Sequence, residues 1–407
     1  PLPPDALPID ADLPELIAAL RGSGQTVLQA PPGAGKTTRV PLALPRAGLV
    51  EGRILMLEPR RLAARAAAER MAETLGEAVG ETVGYRIRGE AKISKATRIE
   101  VVTEGILTRL IQHDPELSGY GLVIFDEFHE RNLNGDLGLA LCLEAQAALR
   151  DDLKILVMSA TLDAEPVAKL LGNAPLISSE GRCYPVEIRF GKRPEARQLI
   201  TAISRTILDA LQQEHGDLLV FLPGVGEILR VKQQLEEANL TNNIHILPLY
   251  GDLNRHAQEQ AINPSQSGQR KVVLATSIAE TSLTIEGVRV VIDAGLQRSP
   301  RFNPRYGMSR LETLDVNQAS AEQRAGRAGR LEPGVCYRLW SKADHNRLLA
   351  HGKAEILEAD LANLALELAQ WGVNDANQLS WLDQPPSAAY AQARDLLAQL
   401  GALDEQG

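Results

Sequence analysis

The sequence predicts an α/β chain with two successive parallel sheets, on three observations. Short, near-continuous apolar runs recur along it, stretches of helical length separate them, and the alternation begins afresh near residue 190. Strands buried on both faces read as unbroken apolar runs, and strands alternating with helices give a parallel sheet covered on both sides. The first set of strands is TVLQA (26–30), RILMLEP (53–59), IEVVT (99–103), LVIFDE (122–127) and KILVMSAT (154–161), with helices over 62–76 and 137–149. SSEGRCYPVEIR (179–190) reads as the joint. The second set is DLLVFLPG (217–224), IHILPLY (244–250), KVVLAT (271–276) and RVVIDAG (289–295), with a helix over 227–239. A third region from about 342 reads as a helix over 355–372, a Pro-Pro turn at 385–386 and a helix ending at Leu400. The expected domains are therefore 1–180, 181–341 and 342–407.

Composition sets the outer bounds. A length of 407 residues fits two to three domains. Hydrophobic residues at 44% and charged residues at 23% exclude a disordered chain. No apolar run approaches the roughly 18 residues of a membrane span, and the opening PLPPDALPIDADLPEL lacks a basic, then apolar, secretory pattern. Cys142, Cys183 and Cys336 show no metal or disulfide spacing and read as buried thiols of a cytoplasmic protein. The net charge of −9 argues against a broad basic face for nucleic acid. That charge is unevenly spread. Residues 354–407 hold nine acids against Arg394 alone, whereas 289–330 holds eight arginines against four acids.

Two places carry chemistry. The first strand runs into APPGAGKTT (30–38). A Gly-rich turn between strand and helix aims backbone N–H groups and a helix N-terminus at an anion, so Gly33, Ala34, Gly35 and Thr38 read as a phosphate cradle. Lys36 supplies a cation for the β and γ phosphates, and the Thr37 hydroxyl a ligand for Mg²⁺. Ala30 stands where the usual pattern has Gly. The strand 122–125 ends in Asp126-Glu127-Phe128-His129, at the sheet edge where open α/β folds bind ligands. Asp126 suits a hold on Mg²⁺, and Glu127 suits the metal site and the orientation or deprotonation of attacking water. Alone, such a pair reads as a solvated strand end; the upstream loop makes it a site.

From these residues the chain resembles the DEAH/DExH-box superfamily 2 helicases. The resemblance rests on an ordered series: APPGAGKTT (30–38), EPRRLA (58–63), TEGIL (103–107), DEFHER (126–131), SAT (159–161), FLPG (221–224), LPLYG (247–251), ATSIAETSLTI (275–285) and QRAGRAGR (323–330). It covers roughly residues 15 to 400. Phe128 and Ser277 lean toward the bacterial HrpB-type members. The fold implied is two tandem RecA-like P-loop domains with ATP between them, followed by a partial winged-helix domain.

The same resemblance implies roles. Gln323, Arg327 and Arg330 act on the γ phosphate and its water, the arginines as fingers worth about 10³–10⁵ in rate; spacing of i, i+4, i+7 places all three on one face of a short helix. His129, Ser159 and Thr161 couple hydrolysis to motion. Arg60, Arg61, Thr103 and Thr276 hold a nucleic-acid backbone, and Arg305 sits in a β-hairpin over 296–315 that works as a wedge. With 4% aromatics, binding is expected to be to backbone, with little base preference. The implied partner is single-stranded RNA, with DNA as the second possibility. Arg70 occupies the base-stacking position opposite Ile262, which is not aromatic, so ATP is expected alongside other NTPs. The winged-helix region ends at Gly407, barely begun, which weighs against processive unwinding. The rival readings are a DNA helicase or remodeller, and a nucleotide-switched RNA-binding module that does not unwind.

Overall fold

A computed structural model describes residues 7–160, 164–181, 184–238, 240–280 and 283–404. The chain forms two compact units. One comprises Pro1–Gly181, Pro300–Arg310 and Lys353–Gly407; the other comprises Arg182–Ser299 and Leu311–Gly352. Residues 342–407 are thus divided between the two, and Lys353–Gly407 belongs with the first sheet.

The first unit opens with α1 (Leu13–Ser23), β1 (Gln25–Gln29), α2 (Lys36–Arg46), β2 (Arg53–Glu58), α3 (Arg61–Leu75), β3 (Val83–Ile87) and β4 (Glu90–Lys92). It continues with β5 (Ile99–Thr103), α4 (Glu104–His113), β6 (Tyr120–Phe125), α5 (Leu133–Ala148), β7 (Lys154–Ser159), α6 (Glu165–Leu170) and β8 (Leu176–Ser178). The sheet order is β4-β3-β5-β2-β6-β7-β1-β8. Every pair is parallel except β3–β4.

Alternation along the central strands divides the core by face. Ile155 and Val157 of β7 join Val102, Val123 and Phe125 under α4 and α5, whereas Leu156 and Met158 join Met56, Val101 and Ile124 under α1 to α3. α3 forms from an Ala-rich run of strong helix formers. It stops at Gly76, which takes a left-handed φ of 71° and returns its N–H to Ala72 O.

The second unit contains β9 (Val186–Phe190), α7 (Leu199–Gln213), β10 (Asp217–Phe221), α8 (Val225–Glu237), β11 (Ile244–Leu249), α9 (Arg255–Ile262), β12 (Arg270–Ala275) and β13 (Val288–Asp293). β14 (Leu296–Asn303) and β15 (Met308–Asp315) form the two-stranded hairpin, followed by α10 (Gln318–Gly326), β16 (Gly334–Arg338) and α11 (Lys342–Arg347). The six-stranded sheet is wholly parallel, in the order β11-β12-β10-β13-β16-β9. β3, β4, β8, β9 and β16 are strands that apolar runs did not announce.

The expected helix 355–372 is broken. A 3₁₀ turn at Glu355–Leu357 precedes α12 (Ala362–Trp371), and the Asp360 carboxylate accepts from Ala362 N at 2.9 Å between them. α13 (Ser387–Gln399) closes the chain. Ile356, Leu364, Leu368, Trp381 and Leu397 are buried in the same core as α4 and α5. Cys142 and Cys336 are buried free thiols; Cys183 lies outside the described residues.

Candidate nucleotide and nucleic-acid sites

Parallel strands bring the chemistry to one edge of the first sheet. β1 leads into the glycine-rich turn, and α2 begins at Lys36 itself. Gly33 and Gly35 have φ of 86° and 95°, which side-chain-bearing residues adopt only under strain. A Cβ on Gly35 would also stand 2.5 Å from the Leu7 side chain. Ala30 N donates to Ser159 O at 3.0 Å, so the turn hangs from the end of β7.

The side chains of this turn meet those beyond β6. Lys36, 3% exposed, places Nζ 3.2 Å from Glu127 Oε1. Burial works against its ammonium, but the Glu127 and Asp126 charges prevail and hold its pKa above the usual lysine value. Thr37 Oγ1 donates to Asp126 Oδ2 at 2.7 Å, and Asp126 Oδ1 accepts from Glu127 N at 2.8 Å. A hydroxyl beside a carboxylate is a donor set for a hard cation such as Mg²⁺, which takes few protein ligands. Glu127 Oε2 lies 3.2 Å from His129 Nε2, and His129 Nδ1 accepts from Ala160 N at 3.1 Å. That acceptance assigns the ring proton to Nε2, facing Glu127. His129 therefore lies between Glu127 and the end of β7, where buried Ser159 sits, its Nε2 close to Glu127 Oε2 without a hydrogen-bonding angle. Thr161 lies outside the described residues.

One member of this site escaped the sequence reading. Glu58, at the end of β2, is 0% exposed. Burial, reinforced by Asp126 and Glu127, pushes its carboxyl well above the ordinary range and favours its protonated form. Its only sequence signal is a carboxylate at a strand end, immediately before Pro59-Arg60-Arg61.

The nucleic-acid candidates of this unit also converge. Arg60 is the N-cap of α3 and Arg61 its first residue, while Thr103 is the N-cap of α4. β2 and β5 are neighbours with Glu58 opposite Thr103, so the three residues share one sheet edge. Arg60 lies 3.5 Å from the Glu130 carboxylate. Arg70 is exposed on α3. Arg305 is exposed at the tip of the β14–β15 hairpin.

The second unit treats its motif residues differently. Thr276 precedes a 3₁₀ turn at Ser277–Ala279. Gln323, Arg327 and Arg330 do not share one continuous helix, as the spacing had implied. α10 stops at Gly326 and a 3₁₀ turn spans Arg327–Gly329. The chain tightens there because Gly329 passes against the Tyr184 carbonyl, where a Cβ would stand 2.4 Å from that oxygen. Arg327, 3% exposed, donates Nε to Glu280 O at 2.9 Å and Nη1 to Leu283 O. Arg330 is half-buried, with Nη1 3.3 Å from Thr284 Oγ1. Arg324, which the spacing did not single out, is fully buried, ion-paired to Asp293 at 2.9 Å and Glu280 at 3.0 Å, and lies over the Phe221 ring.

Comparison with known proteins agrees with this geometry. Residues 14–170 match the DEAD/DEAH box helicase family and 198–332 the helicase conserved C-terminal domain. The ATP-dependent RNA helicase HrpB of Escherichia coli (strain K12) is 53% identical over 399 residues, which are 98% of this chain and 49% of that protein. This chain belongs to the DEAH-box helicases. Further helicase relatives are ATP-dependent RNA helicase HrpA of Borreliella burgdorferi (36% identical; 98% of this chain, 49% of that protein) and pre-mRNA-splicing factor ATP-dependent RNA helicase prp22 of Schizosaccharomyces pombe (39%; 99% and 35%). A crystal structure of the E. coli DEAH/RHA helicase HrpB matches the fold with a TM-score of 0.94 at 53% identity, over 98% of this chain and 51% of that one. A second, of the E. coli DExH-box NTPase HrpB, gives 0.89 at 52%, over 100% and 50%. The two sheets are accordingly tandem RecA-like helicase domains. The DEAH-box chain spans about half the length of the HrpB and HrpA relatives it matches. Among the described residues, no helix is long and apolar enough to cross a membrane.

Proposed function

We propose that this chain is the NTP-hydrolysing motor core of an RNA helicase, stimulated by single-stranded RNA. One observation carries the reading. Glu127 is held on one side by Lys36 of the phosphate turn and flanked on the other by His129, whose Nδ1 accepts from Ala160 N at the end of β7. A carboxylate so fixed at a sheet edge suits orienting and deprotonating a water in line with a γ phosphate. Relatives at 53% and 39% identity are named ATP-dependent RNA helicases.

The roles in this reading are these. Gly33, Ala34, Gly35 and Thr38 cradle the phosphates with backbone donors, and Lys36 exchanges its partner Glu127 for the β and γ phosphates. That exchange frees the Glu127 carboxylate for water. Thr37 and Asp126 would hold Mg²⁺, which neutralises charge on the phosphates when bound. Gln323 and Arg330 act on the γ phosphate and its water, as in the family the chain belongs to. Arg327 first has to loosen its hold on the Glu280 and Leu283 carbonyls. His129 and Ser159 pass the state of Glu127 to β7. Arg60, Arg61, Thr103, Thr276 and Arg305 hold RNA through its backbone. Arg70 stacks the base, and with Ile262 not aromatic, selectivity among NTPs is loose. Residues 342–407 form the start of a winged-helix region, and the protein works in the cytoplasm.

Phosphate release with and without single-stranded RNA, over a range of salt, tests the reading. Turnover should rise with RNA, and that rise should fade steeply with salt, as backbone binding requires. Glu127→Gln should still bind nucleotide yet release no phosphate. Unchanged release from that variant would remove Glu127 from the mechanism.

A further inference from the structure

The turn that carries Glu127 and His129 is strained at both ends. Glu127 and Arg131 bracket a 3₁₀ turn at Phe128–Glu130, and both sit in the left-handed region, with φ of 52° and 50°. Neither is Gly or Asn, so each conformation costs free energy and persists only where its surroundings impose it. At Glu127 those surroundings are the nucleotide site. At Arg131 they are a segment more than 200 residues away in sequence.

Three contacts with that segment define the grip, beside a local fork onto α5. The Arg131 guanidinium forks onto Asp136 of α5 at 3.1 and 2.8 Å, and its Nη2 also reaches Asp383 Oδ2 at 2.8 Å. Arg131 O accepts from Glu355 N at 3.1 Å. The Glu355 carboxylate accepts from Leu133 N, the first residue of α5, at 2.7 Å. This last bond is a helix cap supplied from elsewhere in the chain. The N-cap residue of α5, Asn132, makes no cap with its own side chain, which lies instead 3.4 Å from Glu104 Oε1. Glu355 thus satisfies a free N–H and sets a negative charge at the positive end of α5.

The residues that grip are themselves anchored. Ala354 and Ile356 flank Glu355 and are buried in the core beneath α4 and α5. On its far side the same stretch meets the hairpin tip, where Glu358 pairs with Arg301 at 3.8 Å and with Lys353 at 3.2 Å.

We propose that Arg131, Glu355 and Asp383 are positioning residues for hydrolysis: the C-terminal segment clamps the exit of the turn that carries Glu127 and His129. This rests on the reading of Glu127 as the group that handles water. The clamp acts through φ at Arg131. With the Glu355 and Asp383 side chains removed, only the Glu355 N to Arg131 O bond still ties the exit of the turn to the C-terminal segment; Arg131 relaxes, and the turn shifts its carboxylate and imidazole away from β7.

The test uses the full chain carrying Glu355→Ala and Asp383→Ala, singly and together. Both side chains lie at the surface, Glu355 exposed and Asp383 40% exposed, so the variants should fold. The double variant should lose about 10-fold in kcat, the scale of effect when groups that orient a site are removed. KM for NTP should hold, and the melting temperature should fall by no more than the loss of one helix cap brings. Glu355→Gln keeps an acceptor for Leu133 N and should restore most of the turnover. A double variant with kcat within about twofold of the parent overturns the clamp, and so does a joint decline of kcat, KM and melting temperature. Glu127→Gln measured alongside separates the two ideas: if that variant still turns over, the underlying reading has failed, whatever the clamp variants show.

Discussion

The two sheets share one plan but manage buried charge in opposite ways. At the nucleotide edge of the first unit, Glu58, Asp126 and Glu127 crowd against the single cation Lys36, and burial keeps Glu58 well above its ordinary pKa. In the second unit, fully buried Arg324 meets two carboxylates, Asp293 and Glu280. Lys271 there donates to the carbonyls of Ala261 and Asn263 at the end of α9, while Asp217 accepts from Lys271 N and Ser265. Backbone strain divides the same way. Among the described residues every non-glycine residue with positive φ, namely Leu117, Glu127, Arg131 and Asn173, lies in the first unit. One edge crowds carboxylates about a single cation, a tension that the proposed polyphosphate and its cation would relieve; the other pairs its buried arginine with carboxylates at rest.

The largest expected effect would break that contrast if it failed. Arg330 is half-buried, so Arg330→Ala should change stability far less than turnover, which should fall by roughly 10³-fold, as loss of the proposed arginine finger would make it. Phosphate release and a thermal melt on one preparation check both halves. Arg324→Met should do the reverse. It strands Asp293 and Glu280 without their cation, a loss of about 3–5 kcal/mol. A denaturant titration should show the second unit melting early and the first unmoved. If Arg324→Met kept full stability but lost turnover, the division of labour between these arginines would be wrong.

What was legible in the sequence follows the same division. The central strands of both sheets announce themselves because parallel strands buried on both faces must be apolar throughout. The strands at and near the edges do not. β8 has three residues, β9 alternates polarity as VEIRF, and β16 opens on Gly334. The phosphate turn and Asp126-Glu127 were readable because backbone geometry there demands particular residues in a fixed local order. Glu58, Arg324 and the Arg131 clamp were not. Each depends on partners brought together from distant strands or helices, with Leu133 and Glu355 separated by 222 positions in sequence. No local spacing encodes such a meeting.

A smaller effect concerns Glu104, where burial, aided by the charges of Glu130, Glu355 and Asp136 and opposed by the Asn132 amide, pushes the carboxyl up to about 8. Between the ordinary Glu pKa and that value, the unfolded chain has released this proton while the folded chain still holds it. Stability of the first unit should therefore fall as pH rises through this window and level off above it. Glu104→Gln should flatten the slope and be the more stable form near pH 8, by about 1–2 kcal/mol once partial exposure is allowed for. Denaturant midpoints across the window check this. An unchanged slope in the variant would show that Glu104 ionises in the fold as it does in the unfolded chain.

The smallest contrast is between two asparagines, each the N-cap of a helix. In the second unit, Asn254 caps α9 with its own side chain, accepting from Ala257 N at 2.9 Å. In the first, Asn132 leaves that work to Glu355. Asn254→Ala should therefore cost about 1 kcal/mol, the ordinary value of a cap, and leave kcat alone. Asn132→Ala should cost less in stability, because the Leu133 N–H keeps its acceptor from Glu355. It also removes the amide that favours ionised Glu104, so the pH at which Glu104 releases its proton should move further up. Equal losses in the two variants would mean that Glu355 does not cap α5 in solution, and the outside support for the catalytic turn would go with it.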